Sequence, residues 1–82
     1  MKLKLNFYKV KFFCECPNNR VRIEYTLQIE TDETLSVELI IEQVTDLDPH
    51  FHEELADVFL SKFGGTQMLT AMHHGVEIKT IR

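Results

Sequence analysis

Eighty-two residues make one domain, near the size at which a chain buries only ~60% of its unfolded surface and a second subunit is a natural source of further stability. With 44% hydrophobic and 27% charged residues, three Gly and two Pro, the composition excludes a disordered or linker-divided chain. A formal net charge of −4 argues against a molecule devoted to phosphate binding, which needs a dense basic footprint. Charged residues break up the apolar ones at Met1-Lys2-Leu3-Lys4-Leu5 before an export signal can form, and no run is long enough to cross a membrane. The expected compartment is the cytoplasm, where thiols stay reduced.

In chain order, Leu3, Leu5 and Phe7 alternate on odd positions, whereas from Tyr8 onward the apolar residues fall on even ones. A one-residue slip turns side chains to the opposite face, so a β-bulge at Phe7-Tyr8 or a separately packed segment is expected. The segment reads first as an edge strand over the core, and otherwise as an interaction surface built from Leu3, Leu5 and Phe7.

Tyr8 to Ile29 reads as a long β-hairpin. Tyr8, Val10, Phe12, Cys14 and Cys16 share one face of the incoming arm, and Val21, Ile23, Tyr25, Leu27 and Ile29 share one face of the outgoing arm. A type I′ turn at Asn18-Asn19, for which Asn tolerates positive φ, sets Cys16 opposite Val21, Cys14 opposite Ile23, Phe12 opposite Tyr25, Val10 opposite Leu27 and Tyr8 opposite Ile29. The other face carries Lys9, Lys11, Phe13 and Glu15 against Arg22, Glu24, Thr26 and Gln28. Phe13 is the one large apolar side chain in that polar field, a candidate centre for a contact patch.

Two helices follow. Ser36 suits an N-cap, Leu35 and Ile40 make a hydrophobic staple, and Val37, Ile40, Ile41 and Val44 form a stripe. Asp48-Pro49 has the form of a second helix start, with Asp48 as N-cap. Phe51, Leu55, Val58, Phe59 and Phe63 make its main stripe, widened by Ala56 and Leu60, and Gly64-Gly65 the exit. The tail from Thr66 reads as a second hairpin turning at His74-Gly75. It pairs His73 with Val76, Ala71 with Ile78 and Leu69 with Thr80 on one face, and Met72 with Glu77, Thr70 with Lys79 and Met68 with Ile81 on the other.

The order ββααββ predicts an α+β fold, a four-stranded antiparallel sheet with two helices on one face. In element order alone it resembles the tunnelling-fold enzymes, which bind purines and pterins in oligomeric barrels; none of their motifs is matched.

The residues that could carry chemistry form three groups. Cys14 and Cys16, with some of His50, His52, His73 and His74, are candidate metal ligands. Two cysteines one residue apart on a strand fit a zinc site poorly and read better as small buried hydrophobes, too far apart along the strand to bond readily to each other. His50, Glu53, Glu54 and Asp57 share a helix face at ion-binding spacing, yet carboxylates are favoured at a helix start without any ion. His73 and His74, with Glu77 as nearest carboxylate, are candidate catalytic groups at the second turn, although the pairing turns Glu77 away from His73. No phosphate loop or nucleophile elbow is present, and no cofactor is called for.

The reading that follows is a small non-enzymatic interaction or regulatory module, acting as a homodimer through surplus apolar surface at Leu3, Leu5, Phe7 and Phe13, with another protein or its own copy as partner. The alternative is a small-molecule-binding or enzymatic domain with a His73/His74/Glu77 site between subunits. Nucleic-acid binding around Lys9, Lys11, Phe13 and Arg22 ranks last, because one aromatic among mixed charges makes a poor stacking platform.

Overall fold

The computed structural model describes residues 4–82 and bears out the ββααββ order. Strands β1 (Asn6–Glu15), β2 (Arg22–Thr31), β3 (Thr66–His73) and β4 (Val76–Ile81) form one antiparallel sheet in chain order, and helices α1 (Val37–Val44) and α2 (His52–Phe63) connect β2 to β3. Both hairpin turns lie at one end of the sheet, and the helices cover one face.

The predicted register of the first hairpin holds at Tyr8↔Ile29, Val10↔Leu27, Phe12↔Tyr25 and Cys14↔Ile23. The Cys16 N–H then reaches the Val21 carbonyl at 2.9 Å. The turn itself differs from the expected type I′. Positive φ falls on Arg20 (61°), not on Asn18 or Asn19, and the four-residue loop closes through the Arg20 N–H to the Cys16 carbonyl at 2.8 Å. Asn19 Oδ1 accepts the Val21 N–H at 3.1 Å, a local side-chain bond that takes over the work of a backbone turn. The expected bulge at Phe7-Tyr8 is absent: β1 runs unbroken from Asn6, Phe7 stands opposite Glu30, and its side chain lies on the open face, 73% exposed. The edge strand therefore does not use Phe7 to cover the core. Leu3 lies outside the described residues.

The second hairpin has the expected register at all six pairs, because His74 (φ 52°) and Gly75 (φ 81°) adopt the two left-handed conformations of a type I′ turn.

Ser36 caps α1, its hydroxyl accepting the Leu39 N–H at 3.2 Å. Only Ile40 and Val44 of the predicted stripe are buried; Val37 and Ile41 stay about half exposed, since an eight-residue helix at the β1 edge turns one narrow face to the sheet. Helix α2 starts at His52 with Phe51 as N-cap, three residues beyond the Asp48-Pro49 signal. Glu54 supplies the reciprocal half of a capping box, its carboxylate accepting the Phe51 N–H at 2.9 Å. The buried stripe is consequently His52, Leu55, Ala56, Phe59 and Phe63, and Phe51 is exposed.

Phe59 and Leu55 are fully enclosed at the centre of the core, against the Phe12–Tyr25 stack and Leu27, Ile29 and Leu69 of the sheet. At the far end Gln67, itself buried, donates from Nε2 to the carbonyls of Phe59 (2.9 Å) and Gly64 (2.7 Å), tying the last turns of α2 to β3.

Candidate small-molecule site

A cavity of about 230 Å³ opens between the start of α2 and the turn ends of both hairpins. Cys16 and Asn18 enter it from the first hairpin, Ile23 and Tyr25 from β2, His50 to Glu53 from the approach to α2, and Ala71, His73 and Ile78 from the second hairpin. The late start of α2 is what brings His52 here: as the first residue of the helix, on its core face, it is 6% exposed with its ring 5.4 Å from that of Tyr25.

The chemistry of His52 follows from one bond. Its Nε2 lies 3.1 Å from the Leu69 carbonyl, which can only accept, so Nε2 carries the hydrogen. Burial pushes the imidazole pKa down, against a smaller upward pull from that carbonyl, and holds the ring neutral. Nδ1 is therefore a bare lone pair, and it is buried without a partner. His73 Nε2 is likewise buried and unpartnered. Two imidazole nitrogens without partners on one small cavity are unusual, because buried polar atoms are nearly always satisfied by protein, water or ligand. Burial also pushes the Tyr25 phenol up to about 12, so it stays protonated.

The two cysteines are free and separate in role. Cys16 lines the cavity. Cys14 does not: its thiol donates to the Asp48 carbonyl at 3.4 Å, and burial raises its pKa, with the His50 backbone N–H pulling the other way. The proposed ligand set Cys14, Cys16, His50 and Glu54 is not brought together. His50 Nδ1 donates to the Asp48 carbonyl at 2.6 Å, Glu54 is occupied in capping α2, and among the described residues no group of three or more His, Cys, Asp or Glu is arranged to hold a metal ion.

Of the catalytic candidates, His73 lines the cavity, and His74 stacks on it with ring centroids 4.6 Å apart. Glu77 pairs with Met72 and lies beside Lys79 and Thr70 on the open face of the sheet, away from both. Sequence reasoning passed over Tyr25 as a site residue and ranked His52 only among metal candidates. A signal was available at His52, which extends the Leu55, Ala56, Phe59, Phe63 period by one step and so places a polar ring on the apolar stripe.

The interaction candidates are scattered. Phe7 sits by Met68 and Ile81 in a shallow depression of the open face. Phe13 is six residues along β1, roughly 20 Å away at the rise of a strand, under the Arg22 guanidinium at 4.0 Å from its ring centre. Leu5 is 39% exposed. A wider groove of about 430 Å³ beneath the β1 edge, between Phe13 and Ile41, contains no unpartnered buried polar atom.

No protein-family model matches the chain, and no curated protein does. One solved structure matches end to end: an archaeosine synthase described as QueF-Like, in the apo form, with a TM-score of 0.81 and 20% identity over 100% of this chain and 94% of that one. The chain shares an enzyme's fold. At that identity the likeness is one of fold, covering both hairpins and the helical connection. It corrects the expectation of a non-enzymatic interaction module: the alternative, a small-molecule-binding or enzymatic domain, is the better fit. Among the described residues no helix is long and apolar enough to cross a membrane.

Proposed function

We propose that this chain is a small-molecule-binding enzymatic domain whose site is the cavity walled by Cys16, Tyr25, His50, His52, Glu53 and His73. The observation that carries the reading is the pair of unpartnered imidazole nitrogens, His52 Nδ1 and His73 Nε2, buried against a cavity that also offers a thiol. His52 Nδ1 can accept a hydrogen bond from a ligand N–H or O–H, or take a proton from it. Tyr25 and the two imidazoles supply flat faces, which suit a planar heterocycle. The shared fold with an archaeosine synthase supports the same class of ligand, a nucleobase-like ring, and its end-to-end coverage supports an enzymatic role.

Of the expected His73/His74/Glu77 set, His73 lines this cavity and Glu77 lies on the open face of the sheet. A second copy of the chain remains our proposed partner, on the strength of exposed Phe7, Met72 and Ile81 on the open sheet, and sedimentation at micromolar concentration tests it. The free thiols suit a reducing cytoplasm.

Thermal denaturation with purine bases, nucleosides, nucleotides and pterins tests the reading. A ligand at a hundred times its Kd adds about 2.7 kcal/mol, worth roughly 10 to 20 °C in a domain of this size. We expect such a shift with at least one planar heterocycle, and its loss in His52→Gln and His73→Ala. No shift with any of them, or a shift that both substitutions leave intact, overturns the proposal.

A further inference from the structure

The two hairpin turns meet beside the cavity through one side-chain bond. Asn19 Nδ2 lies 3.0 Å from His74 Nε2, bridging residues 55 apart in sequence. The orientation of the Asn19 amide is set by its other end, since Oδ1 accepts the Val21 N–H at 3.1 Å. The NH₂ end therefore faces the imidazole, and a donor there requires a lone pair on His74 Nε2. The bond exists only with His74 neutral. Its two flanks are parts of the cavity wall: Asn18 precedes Asn19, and His73 lies stacked under His74 with 26° between the ring planes.

We propose that Asn19 and His74 form a proton-sensitive clasp that joins the two hairpin turns and positions His73 in the cavity wall, and that protonating His74 releases it. The inference rests on the cavity being the functional site, but its test needs no ligand. Protonation puts an N–H on Nε2 to face the Asn19 NH₂, two donors head to head. Turning the amide over does not rescue the contact, because the NH₂ would then meet the Val21 N–H. The charged groups around the clasp are Arg20, held by Glu15 at 2.8 Å on the first turn, and Glu53 across the cavity with the titratable His50 and His52; Glu77 lies on the opposite face. His74 itself has φ 52°, a conformation that Asn, Asp and His tolerate better than other side chains.

Cys16, 4% exposed at the cavity wall and hydrogen-bonded into the first turn through Arg20 and Val21, reports the loosening. The full chain is treated between pH 8 and 5 with a dipyridyl disulfide, which stays electrophilic in mild acid. Labelling of Cys16 is resolved from that of Cys14 by fragment-ion mass spectrometry and divided by the rate for N-acetylcysteine at each pH. Losing one hydrogen bond of ordinary strength changes the loosening equilibrium about five-fold. The normalised rate should therefore rise about that much as the pH falls from 8 to 5. Asn19→Ala should be fast already at pH 8 and flat with pH. His74→Gln, which keeps an uncharged acceptor for Asn19, should be slow and flat. A wild-type ratio independent of pH, or an Asn19→Ala profile that tracks the wild type, overturns the clasp. Because no ligand is present, that failure is distinct from a failure of the heterocycle screen, which would leave the labelling profile unchanged.

Discussion

Gly65 is where the sheet and α2 are joined most tightly, and replacing it should damage the fold far more than replacing another left-handed glycine. It has φ +69°, and a Cβ built on it would lie 2.5 Å from the Glu30 carbonyl oxygen and 3.1 Å from the Thr31 Cβ. The conformation alone costs an L-residue about 1 to 2 kcal/mol. The contact with Glu30 falls on backbone that is paired in the β2–β3 ladder, opposite Thr66, so it cannot be relieved by a side-chain rotation. Shifting packed structure to admit an extra methyl costs about 1 to 3 kcal/mol more, and Gly65→Ala should lose about 2 to 5 kcal/mol in all. Gly75 is the control: φ +81°, nothing within 4 Å of its added Cβ, and hence only the conformational cost of about 1 to 2 kcal/mol. Urea denaturation of both variants, with thermal melts in which each kcal/mol is worth about 4 to 8 °C, separates the two. Equal losses would refute the argument that the close approach of β2, rather than the left-handed backbone, makes glycine necessary at position 65.

Three further outcomes are expected. The lowered pKa of His52 means the native state binds fewer protons than the unfolded chain once the unfolded imidazole begins to titrate, near pH 6.5. That stability is whole above this pH and is lost as the pH falls toward the native pKa. Wild type should therefore lose stability relative to His52→Gln between pH 8 and 5, and parallel urea midpoints across that range would show that the ring is not buried neutral. Gln67→Ala should cost about 1 to 2 kcal/mol by equilibrium denaturation, because the carbonyls of Phe59 and Gly64 lose their shared donor, offset in part by removal of the unpartnered Gln67 Oε1; a loss under about 0.5 would mean water replaces the amide. Arg82→Ala, by contrast, breaks a 2.6 Å ion pair to Asp57 that solvent reaches on both sides, and should cost less than about 1 kcal/mol, shrinking further in high salt.

How much the sequence disclosed depended on whether a feature is local. Both hairpin registers were legible because strand alternation allows few pairings and His74-Gly75 has only one comfortable turn. The first turn was misread because Asn18-Asn19 does suit a type I′ turn, while the observed loop rests on partners that strand pattern does not encode. These are the Asn19 side chain closing on Val21, and Arg20 held in left-handed backbone with its guanidinium on Glu15 at 2.8 Å. The start of α2 was misread for a related reason. Asp48-Pro49 has the form of an N-terminus, but the Asp48 carbonyl is taken by Cys14 and His50, which keeps 48–51 extended and passes the cap to Phe51 and Glu54.

That displacement decides the chemistry. The sequence stripe Phe51, Leu55, Val58, Phe59, Phe63, widened by Ala56 and Leu60, and the observed stripe His52, Leu55, Ala56, Phe59, Phe63 share Leu55, Ala56, Phe59 and Phe63 and differ at the residue that begins them. One residue along a helix is a rotation of about 100°, so the choice exchanges a buried Phe51 for a buried His52. With Phe51 in that place, the wall would lack the His52 imidazole and its unpartnered Nδ1, leaving only that of His73. With His52 inside, tethered by Nε2 to the Leu69 carbonyl, the same space is lined by an imidazole with an unpartnered Nδ1 together with Cys16 and His73. Glu54 supports the site without lining it: its carboxylate accepts the N–H of Phe51, the wall residue that caps α2 immediately before His52.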